Sequence, residues 1–352
     1  MKLVGSEMVY DTTVSGINMF DANGFCVHNC GEQPLLPYES CNLGSINLSR
    51  MVEDAKVNWA KLKEVVRCAV QFLDDVIDAN KYPLKEIDEI TRANRKIGLG
   101  VMGFADMLIK LGIAYNSEEA LSLGEQLMKF VKEEAYKKSV ELGEERGSFP
   151  NFGKSIWKDR YGAMRNATVT TIAPTGSISI IAGCSSGIEP IFAISFMRNV
   201  LSGTRLFETN PLFEAMAKDR GFYSAKLLED IARTGSVQNI NGVPDDVKRL
   251  FVTALDIKPE WHVRMQAVFQ KYTDNAVSKT VNLPSDATVE DVRKIYELAW
   301  KLRCKGVTVF RYGSKPEQVL YIGEVRTRTS KFVTAESEYA GGCPTQTCPF
   351  PG

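Results

Sequence analysis

The chain has 352 residues, of which 44% are hydrophobic and 24% charged, as is usual for a globular protein of one large or two ordinary domains. Lys and Arg together number 43, as do Asp and Glu, so the net charge gives no reason to expect nonspecific binding to nucleic acid or membrane. No apolar run approaches the roughly 20 residues of a membrane-spanning helix, and the N-terminus lacks the apolar core of a secretory signal. These features predict a cytoplasmic protein.

Cysteine and histidine narrow the possible chemistry. The 8 cysteines are too sparse for a disulfide scaffold in a chain of this length, and the 2 histidines exclude a His-rich zinc site, so we predict no metal site. His262 falls in a predicted helix, where we expect it to be packed or at the surface rather than a ligand. Thiols with a chemical role are expected in the polar loops rich in Gly and Pro, namely Cys30, Cys41, Cys343 and Cys348.

Residues 1–29 have the composition of short strands and turns. Asn23-Gly24 stands between two β-prone apolar runs and predicts a hairpin, most simply one that docks on the main domain. The order His28-Asn29-Cys30 suggests a second interpretation. An Asn amide can attack its own carbonyl carbon and cleave the next peptide bond, a neighbouring His can transfer the proton, and the following Cys can accept an acyl chain.

This segment resembles the C-terminal end of an intein, with His28, Asn29 and Cys30 as the splicing residues. The resemblance implies that residues 1–29 are removed and that Cys30 is joined to an upstream polypeptide. Two explanations stay open. The chain is either the C-terminal piece of a split intein that splices in trans, or a piece of a longer protein.

After the intein-like segment, hydrophobic periodicity predicts helices that alternate with buried strands. An irregular loop begins at residues 34–37, and residues 184–205 are rich in loops. Apolar or β-branched runs predict strands at 165–173, 279–284 and 306–314. This alternation predicts an α/β fold with parallel strands. The predicted helices span residues 59–80, 85–95, 117–147, 211–221, 224–234, 244–255, 259–273 and 288–303.

Two segments that contain glycine could hold an anion. Residues 95–106 are glycine-rich after basic residues, but they match neither a P-loop nor a dinucleotide fingerprint, so we expect a strand and a helix to pack closely through the glycines. The second segment, Pro174-Thr175-Gly176-Ser177-Ile178, follows a predicted strand and starts a helix. Its hydroxyls and backbone N–H groups suit an anion, and a simple capped strand-to-helix turn is an equal alternative.

Residues 30–48 read CGEQPLLPYESCNLGSINL. This stretch closely resembles the active-site loop of ribonucleotide reductases, specifically the adenosylcobalamin-dependent class (class II). Three further segments resemble the same family in the same order, at residues 95–106, 173–192 and 305–314. The oxygen-dependent class has a Tyr-Tyr pair where residues 309–312 read VFRY, and the absence of that pair favours cobalamin.

The resemblance implies a ten-stranded α/β barrel whose finger loop carries a radical cysteine, with its C-terminal part at residues 30–323 of this chain. The β-hairpin intein tail (1–29) would precede it, and a flexible redox-active tail (324–352) would follow. His28 stands where the family has Asn, which would come from the N-terminal part of the reductase after splicing. The expected function is reduction of ribonucleoside diphosphates or triphosphates to deoxyribonucleotides. The alternative is an unspliced precursor with splicing activity only.

The resemblance also assigns a role to each site residue. Cys30 would be the thiyl radical that abstracts the ribose 3′-hydrogen, Glu32 the base on the 3′-hydroxyl, and Cys41 one of two thiols that reduce the 2′-carbon. The disulfide partner of Cys41 would lie upstream. Adenosylcobalamin would initiate the radical. Cys343 and Cys348 would re-reduce the disulfide by thiol exchange, and thioredoxin or a similar protein would recharge them. The substrate phosphates would bind Pro174, Thr175, Gly176, Ser177 and Ile178.

Overall fold

The computed structural model describes residues 19–22, 25–28, 32–200 and 204–314. The predicted N-terminal hairpin is confirmed in these residues. Strand β1 (Met19–Ala22) pairs antiparallel with β2 (Phe25–His28), and Met19 lies opposite His28. His28, a predicted splicing residue, is therefore the last residue of a hairpin strand.

A parallel sheet forms the centre of the fold. Strand β3 (Asn42–Asn47) pairs with β6 (Ile97–Met102), and β9 (Thr280–Leu283) pairs with β10 (Thr308–Arg311), both in parallel. The segment 168–172 joins the two pairs through parallel bridges, which connect Leu99 with Thr170 and Ile172 with Val277. Five parallel segments therefore follow one another in chain order, which confirms the predicted α/β architecture.

Helices connect the parallel segments, and most of them match the periodicity of the sequence. The helix predicted at 244–255 is shorter than expected. It ends at Leu250, because Thr253 bridges to Ile191 and its N–H donates to the Asp256 carboxylate instead of continuing the helix. The helices are α1 (Trp59–Ala79), α2 (Lys85–Asn94), α3 (Phe104–Lys110), α4 (Glu118–Arg146), α5 (Gly176–Ala182), α6 (Pro211–Asp219), α7 (Ala225–Thr234), α8 (Asp245–Leu250), α9 (Pro259–Gln270) and α10 (Val289–Lys301).

Strands occur in two places where the sequence predicted loops. Strand β3 follows the irregular loop, although its Asn, Gly and Ser residues have low strand propensity, because pairing with β6 outweighs that propensity. Strands β7 (Ser195–Val200) and β8 (Thr204–Thr209) form an antiparallel hairpin that begins in the region predicted to be rich in loops. The short strands β4 (Val52–Glu53) and β5 (Lys56–Val57) form a further hairpin.

The predicted strand at 165–173 is confirmed only in part. The segment is not a regular strand, but Thr170, Thr171 and Ile172 are completely buried. The Leu99 N–H donates to the Val169 carbonyl at 2.7 Å, and the Thr171 N–H donates to the Leu99 carbonyl at 3.0 Å. The segment is therefore the third of the five parallel segments, although it does not pair regularly along its whole length.

Glycine in β6 allows this close approach. A Cβ atom added to Gly100 would lie 2.2 Å from the Thr171 carbonyl oxygen, a distance that real Cβ atoms do not show. The expectation of close packing in the glycine-rich segment is confirmed, although the partner at Gly100 is the neighbouring parallel segment rather than a helix.

One core cluster combines apolar side chains of the sheet with those of four helices, α1, α3, α4 and α9. Leu62 and Val66 of α1, Met128 of α4, and Met265 and Phe269 of α9 are completely buried in one cluster with the strand residues. A second cluster joins α6, α7 and α8. No helix within the described ranges is long and apolar enough to cross a membrane.

Candidate active site

Glu32 is the first predicted catalytic residue that the structure describes, and it lies against the middle of the parallel sheet. Its backbone carbonyl accepts a hydrogen bond from the Ala276 N–H at 2.9 Å and another from the Thr171 hydroxyl at 3.0 Å. Only 4% of the residue is exposed. The next residue, Gln33, passes so close to Gly98 that an added Cβ there would lie 2.5 Å from its Nε2 atom. The loop is therefore held directly against the sheet.

Cys41 stands immediately before β3 as a free, half-buried thiol. Burial raises its pKa to about 12, and the negative charges of Glu32 and Glu39 contribute to the increase, while Lys96 opposes it. The thiol therefore keeps its proton at neutral pH. Because the charge of Glu32 acts on Cys41, the structure brings these two predicted site residues together.

Glu39 fixes the loop that carries Cys41. Its buried carboxylate accepts hydrogen bonds from the Asn94 side chain at 2.7 Å and from the Leu36 N–H at 2.8 Å. Lys96 completes an ion pair at 2.5 Å. The sequence did not single out Glu39, because a Glu between Tyr38 and Ser40 in a polar loop is typical of a solvated side chain.

The turn at residues 174–178 follows the parallel segment that contacts Glu32. Thr175 has a φ angle of 57°, in the left-handed region, which costs a non-glycine residue about 1–2 kcal/mol. Its hydroxyl oxygen accepts the Gly187 N–H at 2.6 Å. Pro174, Gly176 and Ile178 are exposed, so the turn presents its outer side to solvent. The three residues from Thr171 to Pro174 span about 10 Å in an extended chain.

Other predicted site residues lie outside the part of the chain that the structure describes. These are Asn29 and Cys30 at the splice junction, and Cys343 and Cys348 in the predicted redox tail. Within the described ranges, no group of three or more His, Cys, Asp or Glu side chains could hold a metal ion.

Comparisons with known proteins show the family to which the chain belongs. The family model of the ribonucleotide reductase barrel domain matches residues 26–163 and 159–310. The chain is 53% identical over 334 residues to the vitamin B12-dependent ribonucleoside-diphosphate reductase of Thermoplasma acidophilum, covering 91% of this chain and 43% of that protein. It is 50% identical over 345 residues to the protein of the same name from Mycobacterium tuberculosis strain H37Rv, covering 97% of this chain and 48% of that protein.

A solved structure supports the same relationship. The alpha subunit of the class Id ribonucleotide reductase of Actinobacillus ureae superposes with a TM-score of 0.67 and 25% identity, over 81% of this chain and 52% of that subunit. The chain thus spans about half the length of the curated relatives it matches. Since the family model covers most of its residues, the chain belongs to the ribonucleotide reductase family and carries sequence of that family's barrel domain.

Proposed function

We propose that this chain supplies the C-terminal part of the barrel of a vitamin B12-dependent ribonucleoside-diphosphate reductase. The observation that carries the proposal is the placement of Glu32 and Cys41 against the parallel sheet, within electrostatic reach of each other. Relatives at 53% and 50% identity bear this enzyme's name, and we take the diphosphate substrate from that name. The complete barrel would have ten strands, of which the five parallel segments are one half.

The reaction divides among three residues of one loop. Cys30, two residues before Glu32, carries the thiyl radical that takes the ribose 3′-hydrogen. Glu32 accepts the 3′-hydroxyl proton. The 2′-hydroxyl leaves as water, while Cys41 and a second cysteine supply two electrons and two protons and become a disulfide. A raised pKa suits Cys41 to this role, because the thiol must still carry its hydrogen when the substrate arrives.

The turn at 174–178 is the proposed site of the substrate phosphates. Its position fits a nucleotide, since the chain between Thr171, which contacts Glu32, and Pro174 spans about 10 Å. Its exposed backbone around Gly176 leads into helix α5, and N–H groups at a helix start favour an anion. A ribose beside Glu32 could therefore extend its phosphates toward this turn.

Adenosylcobalamin is the proposed cofactor, and it supplies radical initiation when bound. The described residues fit a large, partly apolar group beside the turn, because helix α5 exposes Ile178, Ile180 and Ile181. These side chains would contact the cofactor and keep water from the radical site. Their exposed fractions of 43%, 61% and 85% are high for isoleucine, so a covering group would also bury apolar surface.

Two protein partners belong to this proposal. The N-terminal part of the reductase would cover the outer edge of β3, beside which Leu43 and Phe72 are 42% and 64% exposed. Parallel sheets normally have both faces covered, and a closed barrel has no unpaired edge, which supports an added strand at this edge. Thioredoxin or a similar protein would reduce Cys343 and Cys348, which in turn would reduce the Cys41 disulfide.

Assay of the complete enzyme tests the reductase proposal. This chain is co-expressed with an N-terminal part, and the purified protein receives adenosylcobalamin, cytidine diphosphate and a dithiol. We expect deoxycytidine diphosphate to form, and Cys30→Ser to abolish it. Cys68→Ser, at an exposed position on α1, is the matched control and should keep the native rate. Native turnover by Cys30→Ser would refute the radical role.

Protein splicing at Asn29 and Cys30 is a second proposed activity, favoured by the hairpin that ends at His28. The alignment with the Mycobacterium protein covers 97% of this chain. Residues 30–352 are a smaller share than that, so the alignment also includes part of residues 1–29.

Mass spectrometry of the co-expressed protein shows whether residues 1–29 are removed. Splicing predicts a ligated product without residues 1–29, and Asn29→Ala should prevent it. An unchanged mass in both proteins would exclude splicing.

A further inference from the structure

A buried lysine is connected to the turn at 174–178 through the loop at residues 184–190. Lys279, just before β9, is only 1% exposed. Its ammonium group donates to the Glu189 carboxylate at 2.5 Å, to His262 Nδ1 at 2.8 Å and to the Thr280 carbonyl at 2.6 Å. An ammonium group has three donors, and all three are used. A fully bonded, buried lysine is a costly feature that needs a reason.

The partners of Lys279 fix the state of His262. A lysine ammonium can only donate, so Nδ1 accepts; the Ala254 carbonyl can only accept, so Nε2 donates to it at 3.0 Å. Burial and the charge of Lys279 lower the pKa of His262 well below its usual value. The histidine is therefore a neutral connector that ties Lys279 to α9 and to the loop after α8.

Glu189 connects this cluster to the loop at residues 184–190. One carboxylate oxygen binds Lys279, and the other accepts the Thr280 N–H at 2.7 Å. In the same loop, the Gly187 N–H donates to the Thr175 hydroxyl, and the Ile188 carbonyl accepts the Tyr115 hydroxyl at 2.6 Å. A continuous set of contacts therefore runs from Lys279 through Glu189 and Gly187 to the strained turn.

We propose that Lys279 is a positioning residue for the phosphate turn. By holding Glu189, it keeps the loop at 184–190 where the Gly187 N–H can bind Thr175 and stabilise the left-handed backbone of the turn. The inference rests on the proposed function of residues 174–178. Lys279 itself contacts neither substrate nor reacting atoms. Its effect is therefore on binding of the nucleoside diphosphate and leaves the radical step unchanged.

Steady-state kinetics of the complete, cobalamin-loaded enzyme with cytidine diphosphate test this inference. Lys279→Met should raise KM about tenfold, the value of roughly one hydrogen bond, while kcat stays within about twofold of native. Glu189→Gln keeps one acceptor oxygen for the Thr280 N–H but removes the charge and the second acceptor oxygen, and it should give the same split if Lys279→Met does not fold. Lys305→Met is the matched control, because it removes a lysine that donates to the Asp274 and Asn275 carbonyls and, within the described ranges, has no hydrogen bond to the loop.

A double variant separates positioning from general destabilisation. Thr175→Val removes the hydroxyl through which the loop acts, and Thr175→Ser keeps it and should restore KM. If Lys279 acts through this contact, Lys279→Met combined with Thr175→Val raises KM no more than the worse single variant. Multiplied effects, or a loss confined to kcat, would overturn the inference. An unchanged KM in Thr175→Val would instead refute the proposed phosphate site at residues 174–178. If Thr175→Val raises KM while Lys279→Met and Glu189→Gln keep the native KM, only the positioning role of Lys279 is refuted.

Discussion

Two of the buried charge clusters among the described residues join different parts of the fold. The Asp74 cluster consists of Asp74, Asp78, Arg95, Arg165 and Asn166, and it joins α1 to the start of β6 and to the segment before 168–172. The Lys279 cluster consists of Lys279, Glu189 and His262, and it joins α9 and β9 to a loop that contacts the phosphate turn.

The two clusters differ in how deeply their charges are buried and in whether they are connected to a proposed substrate site. Asp74 is completely buried and Arg95 is 4% exposed, so removing either one leaves the other buried with fewer partners for its charge. The side chain of Glu189 is 25% exposed, so water can partly replace Lys279. Both clusters stabilise the fold. Only the Lys279 cluster is joined, through Gly187 of its loop, to a segment proposed to bind substrate, and its loss should therefore change affinity as well as stability.

The largest effect is expected at the Asp74 cluster. Asp74→Ala leaves Arg95 buried with a weakened set of partners and should lower the free energy of unfolding by about 3–5 kcal/mol. Urea denaturation measures the change. Asp75→Ala, which removes an exposed partner of Arg146, should cost no more than about 1 kcal/mol. If Asp74→Ala raises KM as strongly as Lys279→Met does, the two clusters do not differ in their effect on substrate binding.

The charge around Cys41 allows a second test. The Asp74 cluster balances two carboxylates with two arginines, whereas Cys41 faces Glu32 and Glu39 with only Lys96 in opposition. At pH 8, alkylation of Cys41 by iodoacetamide should be about a hundredfold or more slower than that of the exposed Cys68. Peptide mass spectrometry gives both rates, and equal rates would contradict the raised pKa.

The raised pKa of Cys41 also predicts a dependence of stability on pH. The unfolded thiol titrates near 9.0 and the folded thiol near 12. The thiol therefore contributes stability that is present below pH 9 and is lost as the pH rises toward 12. The loss should be smaller in Cys41→Ser, as followed by urea midpoints across this range. An identical loss in both proteins would assign the effect to other groups.

Glu189→Gln should lower the free energy of unfolding by less than Asp74→Ala does. The dependence of this loss on pH should be opposite in direction to that of the Cys41 thiol. Lys279 then faces neutral His262 and a neutral amide, and burial lowers its folded pKa further below the unfolded value of about 10.4. Stability is fully present above that value and falls as the pH drops through the folded pKa. We expect a loss of about 2 kcal/mol at neutral pH that recovers near pH 10. Denaturation at both pH values measures it, and a loss independent of pH would argue against a charged Lys279.

The smallest effect serves as a control for stability alone. Ser117→Ala removes the side chain that accepts the Ala120 N–H at the start of α4 and should cost about 1 kcal/mol. Thermal unfolding measures this loss, and KM for cytidine diphosphate should stay native. A raised KM in this variant would show that destabilisation by itself weakens substrate binding.

The sequence predicted the helices and the α/β architecture well, because amphipathic periodicity in α1 and α4 is a local property. It also predicted Glu32 and Cys41 as site residues, through a resemblance carried by one continuous loop, and these roles stay predictions. It missed strand β3, whose weak β propensity is outweighed by pairing with β6. It also missed the Glu39–Lys96 pair, since these residues are separated by 57 positions and only the fold brings them together.

The Lys279 cluster could not be predicted for the same reason. Glu189 lies 90 positions before Lys279, in a stretch that the sequence identifies only as rich in loops. His262 was expected to be packed or at the surface, and the structure shows that it is packed. Its role as a partner of Lys279 depends on contacts between α9 and β9, which no local pattern encodes.

Formation of deoxycytidine diphosphate by the Cys41→Ser variant of the complete enzyme tests the central claim most directly. The assay contains adenosylcobalamin, cytidine diphosphate and a dithiol, and Cys68→Ser is measured beside it. If Cys41 is one of the two reducing thiols beside Glu32, product formation is lost in Cys41→Ser and native in Cys68→Ser. Product formation by Cys41→Ser at the native rate would contradict the account.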